Sequence, residues 1–391
     1  MIVLRQIFPQ FSCFGSARNE VIVVMIQKVS ASLSIFGSTF IIYDVVKKIR
    51  NGKKTDPYQR IMVALSFFYF ILSFFAFFLG SWVAPKESGW MWAVGNTASC
   101  TMQGFLLVLG TMGELTNQTA VSFNILMLIV FGWNQEKFAK RIENPLHIAI
   151  VVVALSTAVV PLFFQLYNPA CGICNLRPRV GMCGNGKDDE VFFCIVRGNH
   201  ETVYWAIYWI VVATKMFALI FCTIAMLWVY FYVRRQENKN QRYNFHGHNA
   251  NNHKESMRIR KILLLYTASL YLSHGVSVFC LWVKLPTSKW FIARALIPMR
   301  GFFNFLVYFL PNCLKYQQDH PGAWLVTAYF QIVRSRVDCP FSPSEMCGGR
   351  NEDVVDAPEM NFATFNTNLA TYNTSISPDG ATATVTEGEI A

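Results

Sequence analysis

The sequence predicts an all-α membrane protein: a seven-transmembrane helix bundle with its N-terminus outside, a cytoplasmic interfacial amphipathic helix and a disordered tail. Three observations predict it. The 391 residues are 53% hydrophobic and gather into seven long apolar runs, where a soluble chain of this length would split into two or three domains. Lys and Arg are divided unevenly between alternate connections. The third run is long enough to cross a bilayer, which takes about 20 mostly apolar residues. Yet it holds Glu114, Asn117, Gln118 and Asn124. Polar groups at that depth are costly and face protein or a water-filled cavity. Such a segment belongs inside a multi-helix bundle.

The runs are Val21–Val46, Gln59–Val83, Gln103–Phe131, His147–Leu166, Val203–Val233, Ile262–Val283 and Trp290–Leu310. Connections after the first, third and fifth runs hold seventeen Lys and Arg, and the other three connections hold seven. Basic residues stay cytoplasmic in short loops, so the N-terminus is outside and the C-terminus inside. The net charge of +11 is thereby placed in membrane-flanking loops. It gives a nucleic-acid reading no support, while anionic lipid can meet those loops. Residues 1–20 form a short extracellular N-terminus. Arg5, Gln6 and Pro9 interrupt its apolar start, which argues against a cleaved signal peptide.

In the first helix Ser30, Ser34 and Ser38 recur at i, i+4, i+8 beside Gly37, a small-residue stripe read as helix packing. In the third, Glu114, Asn117, Val121 and Asn124 lie within about 80° of each other, with Gln118 and Thr111 flanking. The sequon Asn117-Gln-Thr119 falls within the membrane and is not expected to carry a glycan. In the seventh, Arg294, Pro298, Gly301 and Tyr308 share one face, with Arg300 and Asn304 at its edge. Pro298 frees a backbone carbonyl and permits a kink, and Gly301 removes bulk beside it.

At about 1.5 Å per residue, Glu114 lies roughly eleven residues down the third helix, Lys215 about twelve down the fifth and Arg300 about ten down the seventh. His274 is near the middle of the sixth. An ionic cluster is geometrically open to them. Two readings of it stand: a switch or ligand counter-charge, or a buried pair that only holds helices in register.

The loop Arg234–Lys261 is polar and basic, with His246, His248 and His253. Its Asn-rich surroundings favour a solvated surface for a cytoplasmic partner over a metal site. Past Pro311, Cys313 at the membrane surface is a lipidation candidate. Trp324, Leu325, Ala328, Tyr329, Ile332 and Val333 then recur with helical spacing and predict an amphipathic helix on the inner interface. Residues 21–311 are thus the bundle, 312–340 the juxtamembrane helix and 341–391 a disordered tail.

Eleven cysteines sort by compartment. Cys171, Cys174, Cys183 and Cys194 share one outer loop, with Cys100 and Cys13 on the same side, which suggests disulfides. Zinc at Cys171-x-x-Cys174 is the disfavoured alternative, because no second such pair or nearby His-x-x-x-His follows. No Gly-rich phosphate loop, Gly-x-Ser-x-Gly or His-Glu-x-x-His is present, so neither an enzyme nor a bound cofactor is expected. The seventh run lacks Lys, which excludes a retinal Schiff base in the place seven-helix opsins use.

Together these features resemble G-protein-coupled receptors. Local motifs narrow the resemblance: Ser32–Ile42 (SLSIFGSTFII), Tyr58–Met62 (YQRIM), Gly80–Pro85 (GSWVAP), Cys100–Phe105 (CTMQGF), Cys194–Gly198 (CIVRG) and Pro298–Pro311 (PMRGFFNFLVYFLP) look like the cyclic-AMP-receptor-like and secretin-like branch, in its algal and protist form. The resemblance covers roughly residues 22–312. The rhodopsin-like Asp-Arg-Tyr is absent from the third helix's end, as in that branch.

The resemblance implies a disulfide from Cys100 to the second outer loop. Aligning on Tyr167-Asn168 selects Cys174, and then Cys183–Cys194. Cys171 is the competing partner, otherwise left to Cys13 or free, and Asn175 stands where relatives carry Trp. The resemblance further implies a plasma-membrane receptor that passes a small extracellular signal to a heterotrimeric G protein. Glu114, Asn117, Lys215, His274, Arg294 and Arg300 would line the pocket and switch. Pro298, Gly301, Asn304 and Tyr308 would form the hinge. Homo-dimerisation is left open. The rival is a seven-helix transporter or channel with Glu114 and Asn124 on its path, against which the lack of internal repeats counts. A receptor-like scaffold that does not couple is a third reading.

Overall fold

The computed structural model describes residues 17–88, 92–170, 172–177, 198, 200–243, 261, 263–276, 278–279 and 287–338. These residues are mostly helical, and the described part of every apolar run contains helix.

Helix α1 spans Ala17–Arg50 and ends on Lys47, Lys48 and Arg50. Basic side chains there complement the negative end of the helix dipole. Helix α2, Pro57–Ile71, begins with Pro at its first turn, where a missing N–H costs nothing. It passes into a π-turn at Leu72–Phe78 and a 3₁₀ turn at Gly80–Val83. Lys28 of α1 closes this irregular end: its Nζ donates to Phe78 O at 2.6 Å and lies 3.5 Å from the centroid of the Trp82 ring.

Helix α3, Thr97–Ile129, starts from a capping box in which Asn96 and Ser99 exchange side-chain and backbone hydrogen bonds. It packs against α2, against α5 (Asn144–Phe163) and against α6 (Glu201–Tyr243). Its glycines permit this. A Cβ on Gly110 would lie 3.1 Å from Leu72, and one on Gly113 would enter the Phe68 ring. The short α4, Gln135–Phe138, leads through a π-turn at Ala139–Glu143 into α5. Helix α5 buries only a narrow stripe, Ile150, Ala154, Ala158 and Pro161, and exposes valines and leucines elsewhere. An apolar surface of that kind is matched to hydrocarbon rather than water.

After α5 the chain forms an antiparallel hairpin, β1 (Tyr167–Ala170) and β2 (Ile173–Leu176), with Asn168 opposite Asn175. The turn uses Gly172 at φ +79°, a left-handed conformation that glycine adopts without penalty. Helix α6 has 43 residues, about 65 Å at 1.5 Å per residue, far longer than a bilayer core. Helix α7, residues 263–276, contains a π-turn at Tyr271–Gly275. Helices α8 (Thr287–Leu296) and α9 (Arg300–Asp319) follow, and α10 (Leu325–Asp338) packs back on α9.

Among the described residues four segments are long and apolar enough to cross a membrane: Val21–Arg50, Pro57–Phe78, Gln135–Phe163 and Glu201–Asn238. The sequence led us to expect seven. Helix α3 is not among the four because Glu114, Asn117, Gln118 and Asn124 dilute its apolarity. Its burial by other helices replaces contact with lipid. The seventh run is not one kinked helix: α8 and α9 are separated by a turn at residues 297–299 around the buried Pro298. Helix α9 then continues through Pro311 to Asp319, so the interfacial helix begins at Leu325 rather than near residue 312.

Candidate functional site

The polar residues of α3 all face protein. Glu114, Asn117, Ser122 and Asn124 are fully buried and Gln118 nearly so. Glu114 forms an ion pair with Arg300, the first residue of α9. The turn at Pro298 thus starts a new helix on the cation that neutralises Glu114. One turn further along α3 lies Gln118. Tyr69 of α2 donates to Gln118 Oε1 at 3.2 Å, and Tyr266 of α7 donates to Gln118 O at 3.0 Å. Ser122 Oγ lies 3.2 Å from the same Tyr266 hydroxyl. One polar thread therefore ties α2, α3, α7 and α9 through the middle of the protein. Polar groups in a low-dielectric interior hold their partners firmly, because losing one leaves a costly orphan.

Other expected residues fall around this thread. Asn117 Nδ2 donates to Gly113 O at 2.7 Å within α3, while its Oδ1 and both polar atoms of Asn124 have no hydrogen-bond partner among the described residues. Asn304 Nδ2 is 3.4 Å from Ser66 Oγ of α2. Lys215 is on α6, and His274 is fully buried in the α7 π-turn, where neither ring nitrogen has a hydrogen-bond partner among the described residues. Arg294 is on α8, on the N-terminal side of the Pro298 turn.

Gly301 sits against the α1 stripe. Its N–H donates to Ser34 Oγ at 2.9 Å, and Ser73 of the Leu72–Phe78 π-turn donates to the same oxygen at 2.7 Å. Tyr308 donates to Asp44 Oδ2 at 3.0 Å. Asp44 is 2% exposed and is also paired with Lys48 at 3.6 Å and Arg336 of α10 at 3.5 Å. Lys47 Nζ donates to Arg336 O at 2.9 Å. The sequence reading missed Asp44, although an Asp inside an apolar run was a signal. It also missed Glu143, whose Oε2 accepts from Arg60 Nη2 at 2.6 Å and joins α2 to the start of α5.

At the other end, Cys100 and Cys174 are bonded, with their Cα atoms 5.3 Å apart. Gln103, in the second turn of α3, reinforces this junction: its Oε1 accepts from Cys174 N at 2.8 Å and its Nε2 donates to Gly80 O at 2.9 Å. Tyr167 lies over Gly104 and donates to Ala158 O at 2.6 Å, and its burial holds the phenol above its ordinary pKa. Cys183 and Cys194 lie outside the described residues, as do Cys13, Cys171 and His246, His248 and His253. Among the described residues no three His, Cys, Asp or Glu side chains are grouped to hold a metal.

Cys313 is not at an open surface. It is fully buried between Phe309 and the Ala328 and Ile332 face of α10, so a lipid chain there would require α10 to lift. Helix α10 has a further apolar face that the sequence reading did not count. Val326, Phe330 and Val337 are exposed, roughly 160° around the helix from the buried Ala328 and Ile332. One face meets α9, and the opposite one is free to meet lipid.

No protein-family model matches this chain. It is 25% identical over 155 residues to melatonin receptor type 1B of Homo sapiens. That match takes in 40% of this chain and 39% of the receptor. The chain is thus a helical membrane protein with a partial likeness to a receptor.

Proposed function

We propose that this protein is a seven-helix receptor of the cyclic-AMP-receptor-like and secretin-like branch, which carries a small extracellular signal to a heterotrimeric G protein at the plasma membrane. The Glu114–Arg300 pair carries the reading, because it sits where the seventh run breaks. The partial likeness to a melatonin receptor and the Cys100–Cys174 bridge beside it support the same class.

The mechanism follows from charge. Removing one partner from a buried pair leaves an uncompensated ion and costs about 3–5 kcal/mol. An anionic group entering from the bridged end would compete with Glu114 for Arg300 and supply the missing charge. Moving a two-state bundle from 1:99 to 99:1 needs about 5.5 kcal/mol of differential affinity, which is the scale of one such exchange plus its hydrogen bonds. Release of Arg300 would free α9 about the Pro298 turn. That motion would pass to α1 and α10 through Gly301, Tyr308 and Asp44, and open the inner face to the G protein.

The test is nucleotide exchange on purified G protein with the wild type, Glu114→Gln and Arg300→Gln. Both variants are expected to change basal exchange at least threefold. If both are inserted and folded yet match the wild type across a ligand panel, the switch is wrong.

A further inference from the structure

Helices α6 and α7 part around a groove of about 690 Å³. That volume is within the range of small-molecule sites, roughly 300–1,000 Å³. One wall is a face of α6: Met216, Leu219, Ile220, Thr223 and Ile224. The other is Tyr271, Gly275, Val276, Val278 and Phe279, opened by the π-turn and by the missing side chain at Gly275. A π-turn inserts one extra residue into a helix and often marks a functional site. Ile220, Ile224 and Phe279 of this lining are all more than half exposed, and much of α6 lies within a candidate span. What reaches the groove comes from the hydrocarbon of the bilayer.

Hydrogen-bond accounting specifies the ligand. Among the described lining residues, the one pair of polar side chains is Thr223 and Tyr271, with Oγ1 and Oη 2.9 Å apart. A hydroxyl has a single hydrogen. That of Thr223 is committed to Leu219 O at 2.6 Å. Tyr271 must therefore be the donor of the pair, and its oxygen keeps acceptor lone pairs that no donor reaches among the described residues. In hydrocarbon, with no water to answer it, an unused acceptor selects a ligand that brings an O–H.

We propose that this groove binds a long-chain lipid alcohol dissolved in the bilayer, with the ligand hydroxyl donating to Tyr271 Oη and the chain lying between the α6 and α7 faces. The site needs only that these helices lie in a membrane. It does not depend on coupling to a G protein, and it is separate from the Glu114–Arg300 pair.

The experiment uses the full chain in nanodiscs, a photoactivatable long-chain alcohol with a diazirine in its chain, and mass-spectrometric mapping of the label. Competitors of equal chain length carry a hydroxyl, a methyl ether or a methyl ketone. In the wild type, label is expected on residues 216–224 and 271–279, and the alcohol should compete about tenfold better than the ether or ketone, the order of a hydrogen bond made away from water. Tyr271→Phe keeps the shape and should erase that preference. Thr223→Val takes away Tyr271's acceptor and frees its hydrogen, so the ketone should rise to match the alcohol. Gly275→Leu should crowd the groove and abolish labelling, since even a Cβ there lies 3.0 Å from the Tyr271 ring. The head-group comparison in the wild type requires no variant to fold. If ether and alcohol compete equally there, or the label maps to other helices, the proposal is overturned.

Discussion

Gly301 and Glu114 show what a single residue decides in this protein. A Cβ on Gly301 would lie 2.6 Å from Ser34 Oγ and 2.7 Å from Ser34 O. The hydroxyl can rotate away, but the carbonyl is backbone, so α1 and α9 would have to separate. Overpacking of this kind costs about 1–3 kcal/mol. Gly301→Ala is therefore expected to lower the thermal midpoint of the purified protein, and adding Ser34→Gly should not restore it, because the clash is with main chain. An unchanged midpoint would contradict the close approach. The stripe of Ser30, Ser34 and Ser38 with Gly37 was legible as packing, since small residues at helical spacing have one obvious use. That Glu114, Lys215 and Arg300 could share one depth was legible as well, because rise per residue fixes depth. Which cation meets Glu114 was not: depth leaves the azimuth of each helix open, and only packing brings Arg300 to it. Asp44 was missed for a similar reason: its partners Tyr308 and Arg336 are 264 and 292 positions away in sequence, and nothing local announces them.

At the scale of elements, apolar period and length identified where helix forms, but not where it is interrupted. The π-turns at Leu72–Phe78, Ala139–Glu143 and Tyr271–Gly275 have no composition of their own. The break at Pro298 and the unbroken passage through Pro311 show the same residue type with opposite outcomes. Neighbouring helices can satisfy a carbonyl that Pro frees, so tertiary context decides between the two. The β1–β2 hairpin was hidden because its strands are only four residues each and its turn is read as loop. That hairpin carries the next prediction. Cys100–Cys174 spans 74 positions and anchors β2 on the first turn of α3. A disulfide stabilises by about 2–4 kcal/mol, mainly through the unfolded state. Helices held in a bilayer leave that state less freedom, so the low end is expected. Cys100→Ser, Cys174→Ser and the double variant should lose the same amount in a denaturant titration without reductant. Gln103→Ala should lose less, since Gly80 O and Cys174 N can partly turn to water. Single variants that differ from the double would mean Cys100 or Cys174 pairs elsewhere.

At the scale of the whole molecule, two kinds of evidence that share no residues bear on which end faces out. The first is the count of Lys and Arg, seventeen against seven, which puts the basic connections in the cytoplasm. The second is chemical. The Cys100–Cys174 bond sits where α3 begins, and a disulfide persists in an oxidising compartment. If α1, α2 and α3 cross in alternate directions, the start of α3 is on the same side as the start of α1. On both arguments we propose that the N-terminus is outside, with the ion pairs of Asp44, Lys48 and Arg336 at the inner end. The expected result is that an epitope placed before Met1 is stained on intact cells, while one placed after Ala391 is stained only once the membrane is opened. An impermeant reductant applied to intact cells should also reduce the Cys100–Cys174 bond and lower stability to the level of the double serine variant. Staining of the C-terminal epitope on intact cells would reverse the topology. The inner and outer roles given to α10 and to the hairpin would then have to be exchanged, while the Glu114–Arg300 pair, buried between them, would keep its place.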